Sequence, residues 1–174
     1  MENTNFPSVL FVQASSEHLV EYLHRIKKAV ENLSHEQIWW RPHSSTNSIG
    51  ILLSHLNGNI TQWIVSGLGG VPDDRNRAAE FDPKQMPEKE ILLKRFSETI
   101  SKACAVIEAI IDKDLATNIC IQDFETNKLE AIYHVVEHCS WHSGQITWIA
   151  KMLQGESHTI SFYDNDKLNI ARNK

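Results

Sequence analysis

The segment His134-Val-Val-Glu-His138-Cys-Ser-Trp-His142-Ser-Gly-Gln145 sets three imidazoles at four-residue intervals. In a helix turning about 100° per residue, with His138 at 0°, His142 falls at about +40°, His134 at about −40° and Gln145 at about −20°. Ala131, Val135, Ile149, Met152 and Leu153 share that side, while Ser140, Ser143, Thr147 and Lys151 lie opposite. The imidazoles are therefore expected on a core-facing stripe. A buried imidazole needs partners for its nitrogens, and a divalent metal is a partner that two of them at i and i+4 can share. His134 and His142 are ~12 Å apart along the axis, too far for one ion with metal–nitrogen bonds of about 2.0–2.1 Å. One adjacent pair must serve. We take His138 with His142, because Gly144 follows and admits a close helix, and Gln145 sits beside the pair as a hydrogen-bonding support.

A catalytic metal wants a third protein ligand and an open position. His55 is the leading candidate. It shares a stripe with Asn59, Gln62 and Ser66, with Ile49, Leu53, Ile60 and Ile64 roughly opposite. On pattern alone, a polar stripe opposite an apolar one reads as the solvent face, so both readings of His55 stay open at this point. His18, His24, His35, His43 and His158 stand at polar positions and are expected at the surface.

Four helices must position these residues. The first runs from about Val9 to Leu33, with Leu19, Tyr22, Leu23, Ile26, Ala29 and Val30 at helical spacing. The second runs from about Ser48, with Asn47 or Ser48 as N-cap, to about Ser66, where Gly67, Gly69 and Gly70 stop it. The third opens with Pro87 in its first turn and continues to about Ile111. The fourth begins near Asn127, where Asn127 and Glu130 have capping-box spacing, and reaches about Leu153 before Gly155. Asn118 to Phe124 is the only short strand candidate. Roughly eighteen residues, Gly69 to Met86, join helices two and three; extended they reach ~60 Å, twice the ~30 Å of a bundle helix. That connection can cross the bundle and set helices two and three parallel. The expectation is an all-α fold, a four-helix bundle with one long crossover, in a single domain spanning 1–174. Ile160, Phe162 and Tyr163 are expected to tack the polar tail back onto the body.

The composition excludes several classes. The chain has 174 residues, 41% of them hydrophobic and 22% charged, with net charge −5, the balance of a globular protein. No Lys/Arg run argues for nucleic acid, and no apolar run approaches the ~18 residues of a membrane span. Cys104, Cys120 and Cys139 form no CxxC pair and are expected to be free and non-catalytic. With no signal-peptide pattern at Met1 to Ser8, a cytoplasmic location is the expectation.

The pieces Ser48-Ile-Gly-Ile-Leu-Leu-Ser-His55-Leu-Asn-Gly-Asn59 and His134 to Ile146 resemble the two metal-bearing helices of the DinB/YfiT-like superfamily, over roughly residues 9–153. The resemblance implies a four-helix bundle with a long crossover and a zinc or nickel ion held by His55, His138 and His142. His134, Asn59, Gln62 and Gln145 then line the pocket or support the ligands. Relatives are similar to metal-dependent hydrolases, or to S-transferases that use a low-molecular-weight thiol such as bacillithiol or mycothiol. A small-molecule substrate, in one class a thiol, is what this implies.

Other readings remain. His134-Val-Val-Glu137-His138 also matches H-x-x-E-H, with Glu137 as base. A metal-stabilised bundle could serve as a non-catalytic binding or stress-response module. Buried histidines could also simply hydrogen-bond one another. In the loop from Asp73 to Phe81, Arg75 and Arg77 either guide an anionic substrate or lie solvated. Trp39, Trp40, Trp63, Trp141 and Trp148 are expected in the core or between two copies, which leaves a homodimer open.

Overall fold

Helix α1 (Phe6–Val30) places Leu19, Ile26, Ala29 and Val30 at full burial, so the heptad-like spacing read from the sequence is its core face. The computed structural model describes residues 6–82, 84–110 and 114–163. It is mostly helical, with one two-stranded hairpin. After α1 come α2 (His35–Trp39), α3 (Ile49–Ile60) continued by a π-helical turn (Thr61–Ser66), α4 (Arg77–Glu80), α5 (Lys89–Glu108), strands β1 (Asn118–Ile121) and β2 (Phe124–Asn127), and α6 (Lys128–Gln154). No helix among the described residues is long and apolar enough to cross a membrane.

Two of the long helices, α3 and α6, start where a side chain satisfies an orphan N–H group, whereas α5 begins at Glu88 with no side-chain cap. The Ser48 hydroxyl accepts from Ile51 N at 3.2 Å, and the Asn127 side chain accepts from Glu130 N at 2.9 Å. The expected reciprocal bond from Glu130 is not made, because its carboxylate takes the Thr126 hydroxyl at 3.0 Å. Pro87 lies just outside α5 rather than in its first turn; its carbonyl accepts the Trp39 indole N–H at 3.3 Å. The far end expected at Ile111 lies outside the described residues.

Two elements were not expected. The first helix stops at Val30, and a Ser34/Gln37 capping box starts the separate helix α2, which pins Trp39 against Gly50. A Cβ on Gly50 would sit 2.7 Å from that indole, so α3 can pass only because it is glycine. The connection between α3 and α5 contains α4, capped by the Asn76 side chain on Ala79 N. The strand candidate becomes a hairpin in antiparallel register Asn118↔Asn127 to Ile121↔Phe124, so the fold is not purely helical. Gln122 and Asp123 at its tip both take positive φ, 50° and 65°, the pairing that matches strand twist in a two-residue turn.

The helix α1 packs on α5 and α6, and α3 packs on the same two. The core between them is built from Leu19, Ile26, Leu52, Leu56, Ile60, Phe96, Ile100, Val135 and Ile146. Along α3 and α5 the contacts advance together: Thr99 bonds Asn57 at 2.6 Å, and Val106 lies beside Gly69. Ile160 is buried in the core, and Arg25 lies over the Phe162 and Tyr163 rings at 5.4 and 5.6 Å, so the tail does return to the body.

The cap at Ser48 is fully buried, so no water replaces its hydroxyl. Ser48→Ala is expected to cost about 1 kcal/mol of stability, read as a lower urea midpoint at unchanged slope.

Candidate metal centre

The buried face of α6 consists of Ala131, Ile132, Val135, Cys139, Ser143, Ile146 and Ala150. That face is centred about 90° from His138 on the wheel, so the core-facing stripe expected through the histidines is displaced. Ser143, expected opposite the core, is buried, and Met152, expected in it, is 42% exposed. His134, His138 and His142 instead occupy the margin of the buried face, each half-buried, along the seam with α3.

Across the seam, the polar stripe of α3 is not a solvent face. Asn59 and Gln62 are only 5% and 2% exposed, and His55 is half-buried. The reason lies in the connection that follows α3. It folds back over the stripe, and the π-helical turn, with Gly67 N–H on the Gln62 carbonyl, holds Gln62 beneath it.

One nitrogen from each of His55, His138 and His142 lies within 4.8 Å of the other two. The His138 and His142 Nε2 atoms face each other at 2.8 Å. Each ring is anchored through its other nitrogen. His55 Nδ1 meets the Glu80 carboxylate at 2.9 Å, His138 Nδ1 meets Asn59 Oδ1 at 2.9 Å, and His142 Nδ1 meets Gln145 Oε1 at 2.6 Å. An oxygen at Nδ1 favours the tautomer with the proton there, which leaves the Nε2 lone pair for a metal. At His55 the Arg75 Nη2 also lies 3.3 Å from Nδ1 and competes there as a donor.

Arg75 is neither a solvated loop residue nor a free anion guide. Its guanidinium binds Glu80 through Nε at 2.6 Å and Nη2 at 2.9 Å, and Gln62 Oε1 through Nη1 at 2.7 Å. Gln62 in turn donates to Asp73 at 2.6 Å. The Arg75 and Glu80 side chains are 7% and 8% exposed. Burial pushes the Glu80 carboxyl up, but hydrogen bonds from His55 and Arg75 outweigh it and hold the group below its ordinary value. Arg77 lies over the Phe81 ring at 5.3 Å.

His134 is not among the converging donors. It packs on Trp63 at 4.4 Å between ring centroids and stacks on His138 at 5.6 Å. Glu137 is exposed, and the converging set found among the described residues does not include His134, which speaks against the H-x-x-E-H arrangement. The cysteines are free, and Cys139 and Cys104 are buried. Burial pushes the Cys139 thiol up to about 12 and raises that of Cys104, so neither is a nucleophile at neutral pH.

Sequence reasoning missed Glu80. It stands twenty-five residues from His55 in the chain, inside a loop whose charges read as solvated. The one local signal is Gly58, where a Cβ would come within 2.1 Å of Glu80 Oε1 and 2.9 Å of Arg75 Nε.

The fold and this cluster define a class: a mostly helical protein, of the fold seen in a DinB-like protein, with three converging histidines. The chain belongs to the DUF1572 family, described as a protein of unknown function, whose model matches residues 7–170. A conserved protein from Enterococcus faecalis is similar in structure, with TM-score 0.68 and 15% identity over 83% of this chain and 97% of that one. A DinB-like protein from Bacillus cereus has TM-score 0.63 and 16% identity over 82% of this chain and 90% of that one. No curated protein matches the sequence.

Two outcomes follow from this geometry. Gly58→Ala is expected to push Glu80 and Arg75 off His55 and to destabilise the protein by about 1–3 kcal/mol, measured by chemical denaturation. The second concerns pH in the chelator-treated protein. Burial first, then the neighbouring His142, His55 and His134, lowers His138 from 6.5 to about 3. Burial lowers His142 as well, with Gln145 opposing. Below pH 6.5 the unfolded chain therefore binds protons that the folded one refuses, and stability falls as pH drops from about 6.5 toward 3. The slope per histidine is at most about 1.4 kcal/mol per pH unit and smaller for a partly open site. His138→Gln should flatten the profile of melting temperature against pH.

Proposed function

We propose that the chain is a metal-dependent enzyme in which His55, His138 and His142 hold one divalent ion, zinc or nickel, beside a position left open for a small-molecule substrate. The observation that carries this reading is the anchoring of all three rings at Nδ1 by Glu80, Asn59 and Gln145. That is the outer arrangement by which proteins fix metal-binding imidazoles. The donor set fits as well. Tetrahedral bonds of about 2.0–2.1 Å put ligand nitrogens roughly 3.3 Å apart, inside the 4.8 Å spread of the three and near the 2.8 Å between His138 and His142.

When bound, an ion held by three neutral imidazoles supplies Lewis acidity, enough to bring a water's pKa near ~7 or to hold a thiolate. The chain's own residues do the rest. Glu80 keeps the proton of His55 on Nδ1, and its charge is balanced by Arg75. Asn59 and Gln145 do the same for His138 and His142 without adding charge. His134, backed by Trp63, stacks on the His138 ring, and Phe81 lies against His55. The reading names two reactions: S-transfer from a low-molecular-weight thiol of the bacillithiol type, and hydrolysis. It also takes the four long helices as a bundle with one long crossover. The advance of Asn57–Thr99 to Gly69–Val106 contacts, which requires α3 and α5 to run the same way, supports it.

A second reading has one observation in its favour. The 2.8 Å contact of His138 and His142 also suits an N–H···N hydrogen bond, if His142 takes the other tautomer and Gln145 turns its amide. It leaves Nε2 of His55 with no protein partner among the described residues.

Metal analysis separates the two. The untagged protein, purified without a nickel column, is expected to carry about one divalent ion per chain. His138→Ala and His142→Ala should abolish binding, and Glu80→Ala should weaken it 10–100-fold. A wild-type protein that binds neither zinc nor nickel by calorimetry favours the hydrogen-bonded histidines. The loaded protein is then assayed for thiol transfer to electrophiles and for ester and amide hydrolysis, with His55→Ala as the inactive control.

A further inference from the structure

The outer face of α6 carries an apolar stripe that the other described residues leave exposed. Tyr133, Trp141, Trp148 and Met152 are 59%, 66%, 66% and 42% exposed. With Glu137 and Gly144 between them, they recur at four steps of four residues and one of three, which keeps them on one side of the helix. Four such side chains on one face form a patch that a soluble monomer rarely displays.

Gly144 is the informative member. Glycine in a helix interior costs about 1 kcal/mol relative to alanine. A Cβ built on Gly144 meets nothing within 4 Å, unlike those on Gly50, Gly58, Gly67 and Gly69. No contact among the described residues requires this glycine. Its open backbone leaves room for a close approach from outside.

Beside Gly144 lies a concavity of about 690 Å³ between α6 and the segment around residues 40–47, walled by Trp40, Pro42, Leu52, Trp148 and Met152. On the other side of Gly144, one turn back along α6, stands the protruding Trp141 indole. Knob and hole therefore flank the glycine on the same face.

We propose that this face joins two copies of the chain, α6 crossing α6 antiparallel about a two-fold axis at Gly144, with each copy's Trp141 seated in the other's concavity. A two-fold contact must be self-complementary, and the charges are. Antiparallel pairing about Gly144 sets the residue seven before it against the residue seven after it. Those are Glu137 and Lys151, which pair twice with opposite sign. A parallel pairing would set glutamate on glutamate and lysine on lysine. The area also fits: a stable contact takes roughly 800 Å² from each partner. Taking 150–250 Å² for a whole aromatic side chain, the exposed parts of this stripe and Trp40 supply on the order of 500 Å², with the polar rim adding the rest.

Light scattering behind size exclusion, on the untagged full chain at micromolar concentration, is expected to give twice the 19.9 kDa chain mass. Gly144→Arg, and separately Trp141→Glu, should each yield a monomer with unchanged helical circular dichroism. Should Gly144→Arg fail to fold, the exposed Trp141→Glu carries the test. Glu137→Lys and Lys151→Glu should each weaken the dimer at least tenfold, and the double reversal should restore it. A wild-type monomer, or a dimer that survives both Gly144→Arg and Trp141→Glu, overturns the proposal. A double reversal no tighter than the single variants overturns the antiparallel register.

Discussion

An imidazole held at Nδ1 by an oxygen has one nitrogen left, and its direction is set by that contact. Three such rings meet in this protein, and the surrounding structure serves to supply three oxygens at the right places. Asn59 comes from the helix facing His138, Gln145 from the turn after His142, and Glu80 from a connection remote in sequence from its histidine. Each oxygen is itself held. The Glu80 carboxylate is gripped twice by Arg75, which is tied through Gln62 to Asp73. The chain of bonds runs from the floor of α3 to the loop and back to His55.

This arrangement explains why a polar stripe lies buried between two long helices. A buried charge is tolerated only when paired and hydrogen-bonded, and the Arg75–Glu80 pair meets both conditions with every polar neighbour in use. The alternative, an apolar seam, would pack as well but would hold no imidazole in a chosen direction. Small residues mark the cost in space. Gly58 lets the ion pair lie against α3, and Gly50 lets Trp39 do the same one end further along. The apolar core, around Phe96 and Ile100, positions the helices that carry the trio.

The sequence carried the long helices plainly, because their signals are local. Ser48 and Asn127 cap the helices they were expected to cap, and the spacing from Leu19 to Val30 is the core face of α1. The i, i+4 relation of His138 and His142 is also local, so the pair could be read on one helix. The resemblance to DinB-like proteins then joined His55 to them. Misplacement began where burial depends on a neighbour. The wheel of α6 was centred on its histidines, whereas α1 and α3 together decide which face is covered, and they cover one about a quarter turn away. The stripe of His55, Asn59 and Gln62 read as solvated for the same reason, since its cover comes from residues 73–81.

Composition, caps and periodicity thus determined by themselves that this chain is helical, where its long helices lie, and that His138 and His142 share a face. Each of these follows from interactions within a few residues of one another. Tertiary structure alone decided that Glu80 anchors His55, that Arg75 turns inward, and that His134 packs on Trp63 and is not among the converging donors. Those outcomes depend on which segments the packed helices bring within hydrogen-bond reach, and a linear pattern contains no such distance. A hydrogen bond between side chains twenty-five residues apart exists only once the loop between them has been laid over the seam.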